Sequence, residues 1–114
     1  MPGNAAQTHL GTSDRVISVA INASSSGNNT IVASVAGRRI VVTKYKIVAA
    51  GAVTVTFESS GGTVLDGPCA YAANGGVCEP DSENGHFSTL PGEALVLNLS
   101  GAVQVGGHVK YAVV

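Results

Sequence analysis

The chain is predicted to fold as an all-β protein, a single sandwich of about eight strands, from three observations. Short apolar runs alternate with polar residues at period two. Gly-, Asn- and Pro-containing turns cut those runs at the spacing of a sandwich. No segment carries a sustained 3.6-residue period with helix caps. With 114 residues, one domain is expected, large enough to bury a core without staples.

Residues 1–14 are small and polar, with Pro2, Gly3 and Gly11 and no periodicity, and are expected to form a flexible N-terminal arm. The sandwich is expected over residues 15–114. It begins at RVISVAIN, where Ile17, Val19 and Ile21 share a face, and the Ser24–Asn29 run is a loop by composition. TIVASV is the next strand, and Ala36-Gly37 turns it into the long run RRIVVTKYKIVAA. There Ile40, Val42, Lys44 and Lys46 alternate with Val41, Thr43, Tyr45 and Ile47, so the buried face switches along the strand and a bend or bulge is expected near its middle. Gly51-Ala52 is read as the turn of a hairpin into VTVTFES, with Val53, Val55 and Phe57 on one face. Gly61-Gly62 turns that run into TVLD. The irregular GPCAYAANGGVCEPDSENG follows, then HFSTL, EALVLNLS, VQV and GHVKYAVV. Leu95, Leu97 and Leu99 share one face, while Val109, Tyr111 and Val113 alternate with His108, Lys110 and Ala112.

Six basic and seven acidic side chains leave the surface pale, with 45% of residues hydrophobic but only 4% aromatic. A soluble domain ordinarily carries about a quarter charged residues. Much of this surface is therefore expected to be covered by copies of the chain or by a larger assembly, which favours a structural module over an enzyme. A net charge of −1 provides no footprint for nucleic acid or a membrane. The basic clusters Arg38-Arg39 and Lys44-Tyr45-Lys46 read as the solvated face of a strand. The start shows no secretory pattern and no apolar run reaches about 18 residues, so synthesis in the cytoplasm without an anchor is expected. In that setting the Asn-x-Ser/Thr matches at Asn22, Asn28 and Asn98 are chance.

Few residues suggest chemistry. Cys69 and Cys78 lie astride Asn74-Gly75-Gly76, a hairpin-like turn, and two readings stay open. They face each other across a ladder as a disulfide, adding about 2–3 kcal/mol for so short a loop, or they are reduced, buried thiols. Glu79, Asp81 and Glu83 form the densest acidic stretch, read as a solvated loop. Gly85 is one place out of register with a calcium-binding loop. His9, His86 and His108 are scattered and, like the cysteines, lack zinc-ligand spacing. No Gly-x-Ser-x-Gly elbow and no phosphate-cradling glycine loop is present. No catalytic, metal or cofactor site is expected.

From Ser24 to Val114 the chain resembles the small β-rich decoration, or cement, proteins of tailed-bacteriophage capsids. SSSGNNTIVASVAGRRIVV, KIVAAGAVTVTF, GPCAYAANGGVCEP and GEALVLNLSGAVQVGGHVKYAVV carry the resemblance, about four-fifths of the chain. Cys69 and Cys78 depart from the pattern, in which apolar residues flank the NGG turn. The resemblance implies a jelly-roll-like sandwich, a homotrimer on the outer surface of the virion, and an arm that contacts the major capsid protein. His9 and Leu10 are the arm's candidate anchors for that contact. The expected function is to clamp coat subunits against the pressure of packaged DNA by burying area, without chemistry. The alternatives are a tail- or fibre-associated module that binds a host glycan and a small cupin-like enzyme. The first lacks an exposed Trp platform, and the second lacks clustered His and carboxylate ligands.

Overall fold

The computed structural model describes residues 16–114, so the expected arm, with His9 and Leu10, lies outside the described residues. Nine strands follow in the order β1 (Ile17–Ala23), β2 (Gly27–Val32), β3 (Ile40–Ala49), β4 (Val53–Ser59), β5 (Val64–Tyr71), β6 (Gly76–Glu79), β7 (Phe87–Ser88), β8 (Leu95–Leu99) and β9 (Val105–Val113). They form two antiparallel sheets. The first runs β1-β9-β3-β6, with the two-residue β7 also paired to β3; the second runs β2-β8-β4-β5. Setting β7 aside, the partners are nested: β1 pairs β9, β2 pairs β8, β3 pairs β6 and β4 pairs β5. A long antiparallel ribbon rolled so that its rungs fall alternately into two sheets has this order. It is a jelly roll of eight principal strands.

The inner faces follow the alternation in the sequence. Ile21, Ala23, Ile40, Val42, Ile47, Val53, Val55, Phe57, Leu95, Leu97, Leu99, Val105 and Val109 are buried between the sheets. The switch of face in the long third strand is a bulge. Tyr111 lies opposite Val42 but Lys110 opposite Lys44, leaving Thr43 as the extra residue, its hydroxyl donating to the Lys110 carbonyl at 3.3 Å. Inward residues therefore change from Ile40 and Val42 to Tyr45, Ile47 and Ala49. On edge strand β1 burial is graded: Ile21 is buried, Val19 half-buried and Ile17 exposed.

Turn chemistry misleads at two places. Gly51-Ala52 does not close a hairpin, because β3 and β4 belong to different sheets. The connection is a corner across the sandwich, tied by Ala50 N–H to the Gln104 carbonyl and by Thr54 N–H to Ser100 Oγ, both at 2.8 Å. The Asn74-Gly75-Gly76 turn is likewise a corner, from β5 in one sheet to β6 in the other. Gly61-Gly62 is a true hairpin, with Ser59 N–H donating to the Thr63 carbonyl at 2.8 Å. The local signal is the same in all three, and only the distant partner of each strand separates hairpin from corner. The Ser24–Asn29 run is also shorter as a loop than its composition implies. Strand β2 starts at Gly27, because Asn29 Nδ2 donates to the carbonyls of Ser25 and Gly27 and to that of Leu97 across the ladder.

Candidate functional site

The register puts one set of termini and loops at each end of the sandwich. At one end lie the start of β1, the 33–39 and 60–63 loops, the 89–94 loop and the C-terminus. Seven large hydrophobic side chains among the described residues are exposed, and six sit at this end: Val16, Ile17, Val35, Val64, Leu90 and Val114, at 39–53% exposure. The seventh, Val48, is toward the other end. Single exposed hydrophobics are ordinary, but here six of the seven share one end of the sandwich. Arg38 and Arg39, exposed in the 33–39 loop rather than on β3, bring positive charge to the same end. Arginine beside an apolar patch is common in protein interfaces.

Hydrogen bonds tie this end together. Arg39 and Val114 exchange both backbone hydrogen bonds at 2.8 Å, and Gly92 N–H donates to the Arg38 carbonyl at 2.8 Å. Thr89, fully buried, accepts from Ile40 N–H through its hydroxyl at 3.0 Å and returns its own N–H to the Ile40 carbonyl. The buried Ser59 hydroxyl accepts from Leu90 N–H and donates to the Glu93 carboxylate, which also accepts from Gly61 N–H at 2.9 Å. Three loops from both sheets are thereby held in one arrangement. Their apolar side chains are presented on a preorganised support, which lowers the ordering cost of any partner that covers them.

The Ser59 hydroxyl and then the Gly61 N–H hold the Glu93 carboxyl below the ordinary glutamate value. A group whose folded pKa is depressed contributes stability above its unfolded pKa, lost as pH falls through the folded value. Glu93 is therefore expected to titrate below ordinary glutamates by NMR, with the Gly61 and Leu90 amides shifting in the same transition. Glu93→Gln should abolish that transition. Amide shifts that persist in the variant would assign them to another group.

The sequence-predicted pair Cys69 and Cys78 is not brought face to face. Cys69 lies half-buried on β5 opposite Val55, Cys78 exposed on β6 opposite Lys46, and both are free thiols. The ladder expected between them does not form, because the chain changes sheets at the intervening turn. Along this open side, Tyr45 crosses from one sheet to the other, its hydroxyl donating to Asp66 Oδ2 at 2.8 Å. Burial and then the Asp66 carboxylate push the Tyr45 phenol well above its ordinary value; burial and then Cys69 push Tyr71 up to about 12. Both phenols stay protonated at neutral pH, and Tyr45 acts as a hydrogen-bond donor.

His86 packs edge-on against Tyr45, with ring centroids 5.7 Å apart, and its Nε2 is 2.7 Å from the Pro80 carbonyl, pinning the acidic loop to the edge of the sandwich. Among the described residues no three His, Cys, Asp or Glu side chains converge as metal ligands. Lys46, Val48, Asn74 and Cys78 border a hollow that is shallow and open, unlike the enclosing clefts that bind small molecules. The apolar end was not legible in the sequence. Each of its six residues ends or borders an apolar run that looks like any other, and they are gathered only by the folding of distant loops.

Compared with protein-family models, with curated proteins and with solved structures, the chain has no significant match.

Proposed function

We propose that the protein is a structural component of a bacteriophage virion, one that decorates the outer surface of the capsid as a trimer and stabilises the coat-protein shell. The observation that carries this is the apolar end: six exposed hydrophobic side chains on a hydrogen-bonded support, at the end where residues 1–15 join β1. That end is directed at the coat protein. The resemblance of residues 24–114 to capsid decoration proteins, the jelly roll and the scarcity of charge all support the same assignment. Stabilisation follows by mass action. A protein that binds the assembled shell and not the separated subunits raises the free energy of separation.

Val35→Lys combined with Leu90→Lys tests this, because both side chains are exposed and neither belongs to the buried core. The variant is expected to keep the melting temperature and sedimentation of the parent and to lose at least tenfold in affinity for bare shells in co-sedimentation. Undiminished binding would overturn the assignment of this end. Parent protein that labels tails and not capsids in electron micrographs would replace the capsid role with the tail-module alternative.

A further inference from the structure

Folding collects a charged face that the sequence keeps apart. Tyr45 and Ile47 point into the core, so Lys44 and Lys46 point outward from β3. On the neighbouring β9, Val109 is buried, so His108 and Lys110 also point outward. The ladder puts Lys110 directly opposite Lys44 and His108 directly opposite Lys46. Their other ladder partners are Ser18 and Ala20 on β1 and Cys78 on β6, so no carboxylate stands directly opposite the cations. Like charges directly opposite on one face of a ladder are destabilising. Three of the chain's six Lys and Arg residues are spent on this arrangement. An opposing anionic surface converts that cost into attraction.

The chain carries a fitting anionic surface on its edge. Glu79, opposite Tyr45, shares its inward side, but Ser82 N–H donates to the Thr43 carbonyl at 2.9 Å, so the loop bearing the exposed Asp81 and Glu83 runs beside residues 43–45. Acidic edge and basic face therefore lie at the same level along the strands. A rotation about an axis parallel to the strands preserves that level, so the edge of one copy meets the face of the next without a shift. A face-to-edge contact is heterologous, and a heterologous contact repeated by a closing rotation without a shift makes a ring.

We infer that Lys44, Lys46, Lys110 and His108 form the subunit interface of the oligomer, docking Asp81 and Glu83 of a second copy of this chain. This rests on the proposed trimer. It leaves the apolar end free for the shell, since the contact runs along the side of the sandwich.

The experiment is sedimentation of three full-length proteins with circular dichroism as the check on folding. The parent is expected to be trimeric at 0.1 M salt and to dissociate at least tenfold more readily at 1 M, where the screening length falls to about 3 Å. The triple variant Lys44→Glu, Lys46→Glu, Lys110→Glu is expected to be a folded monomer. Adding Asp81→Lys and Glu83→Lys to that variant restores opposite signs between the loop and positions 44, 46 and 110 at each junction of a ring, and is expected to recover the trimer. A monomeric parent would remove the trimer itself. A trimeric parent with a trimeric triple variant would overturn this interface alone. A monomeric triple variant that the two added lysines fail to reassemble would overturn the acidic loop as occupant. A triple variant that stays trimeric but no longer binds shells would assign the basic face to the coat protein.

Discussion

Replacing Phe57 by Ala is expected to lower the free energy of unfolding by about 3–5 kcal/mol, the range for removing a fully buried aromatic. Phe57 is 2% exposed, in the middle of β4, with β8 on one side and β5 on the other. Its ring centroid is 5.2 Å from that of Tyr45 and 5.1 Å from that of Phe87, so one side chain joins the second sheet to two strands of the first. With only two Phe and no Trp in the chain, the surrounding Val and Leu side chains cannot refill the space without moving both sheets. Urea unfolding at one fixed protein concentration measures the loss, the concentration being held because an oligomer's stability depends on it. A loss under about 1 kcal/mol would mean that the core closes around the deletion, contrary to close packing.

Gly107→Ala is expected to cost about as much, about 3–5 kcal/mol, by a different route. Gly107 has φ +146°, a conformation that L side chains rarely adopt, and an added Cβ would lie 1.8 Å from the Lys46 carbonyl oxygen. Neither group is the flexible end of a side chain. The strain is relieved only by parting β9 from β3, and β9 is the strand that also carries β1. Gly106→Ala is the control one residue away. There the nearest atom to an added Cβ is the Ile21 carbonyl oxygen at 3.8 Å, an ordinary contact. Its effect should stay within about 0.5 kcal/mol. Equal losses at the two positions would show that strand propensity, and not the close approach at Lys46, sets the cost.

Much of the strand pattern was legible because it is written locally. The alternation of Val53, Val55 and Phe57, or of Leu95, Leu97 and Leu99, states which side faces the core wherever the strand goes. The switch of face along the third strand was visible too, as a bend or bulge near its middle, while its place at Thr43 came from the register against β9. The strand partners were not legible in this way. Gly51-Ala52, Gly61-Gly62 and Asn74-Gly75-Gly76 all satisfy turn chemistry, yet only the middle one joins strands of one ladder. The Cys69–Cys78 pairing depended on the third being a hairpin too, and it fell with that assumption.

The candidate sites show the same division. Lys44 and Lys46 were recognisable from the sequence as the solvated face of a strand, because their neighbours Tyr45 and Ile47 are apolar. That His108 and Lys110 stand directly opposite them, more than sixty residues on, follows from the nesting of β9 against β3. Val35, Val64, Leu90 and Val114 come together for the same reason, as the rolled ribbon brings distant connections to one end. The sequence by itself determined the all-β class, most of the inward faces and the switch of face in the long third strand, because period-two burial and turn preference act within a few residues. Only the tertiary structure decided which strands share a sheet, where the thiols stand and which side chains meet at the surface. Those depend on ladder hydrogen bonds between residues far apart in the chain, whose backbone donors and acceptors are identical at every position and carry no signature in the side chains.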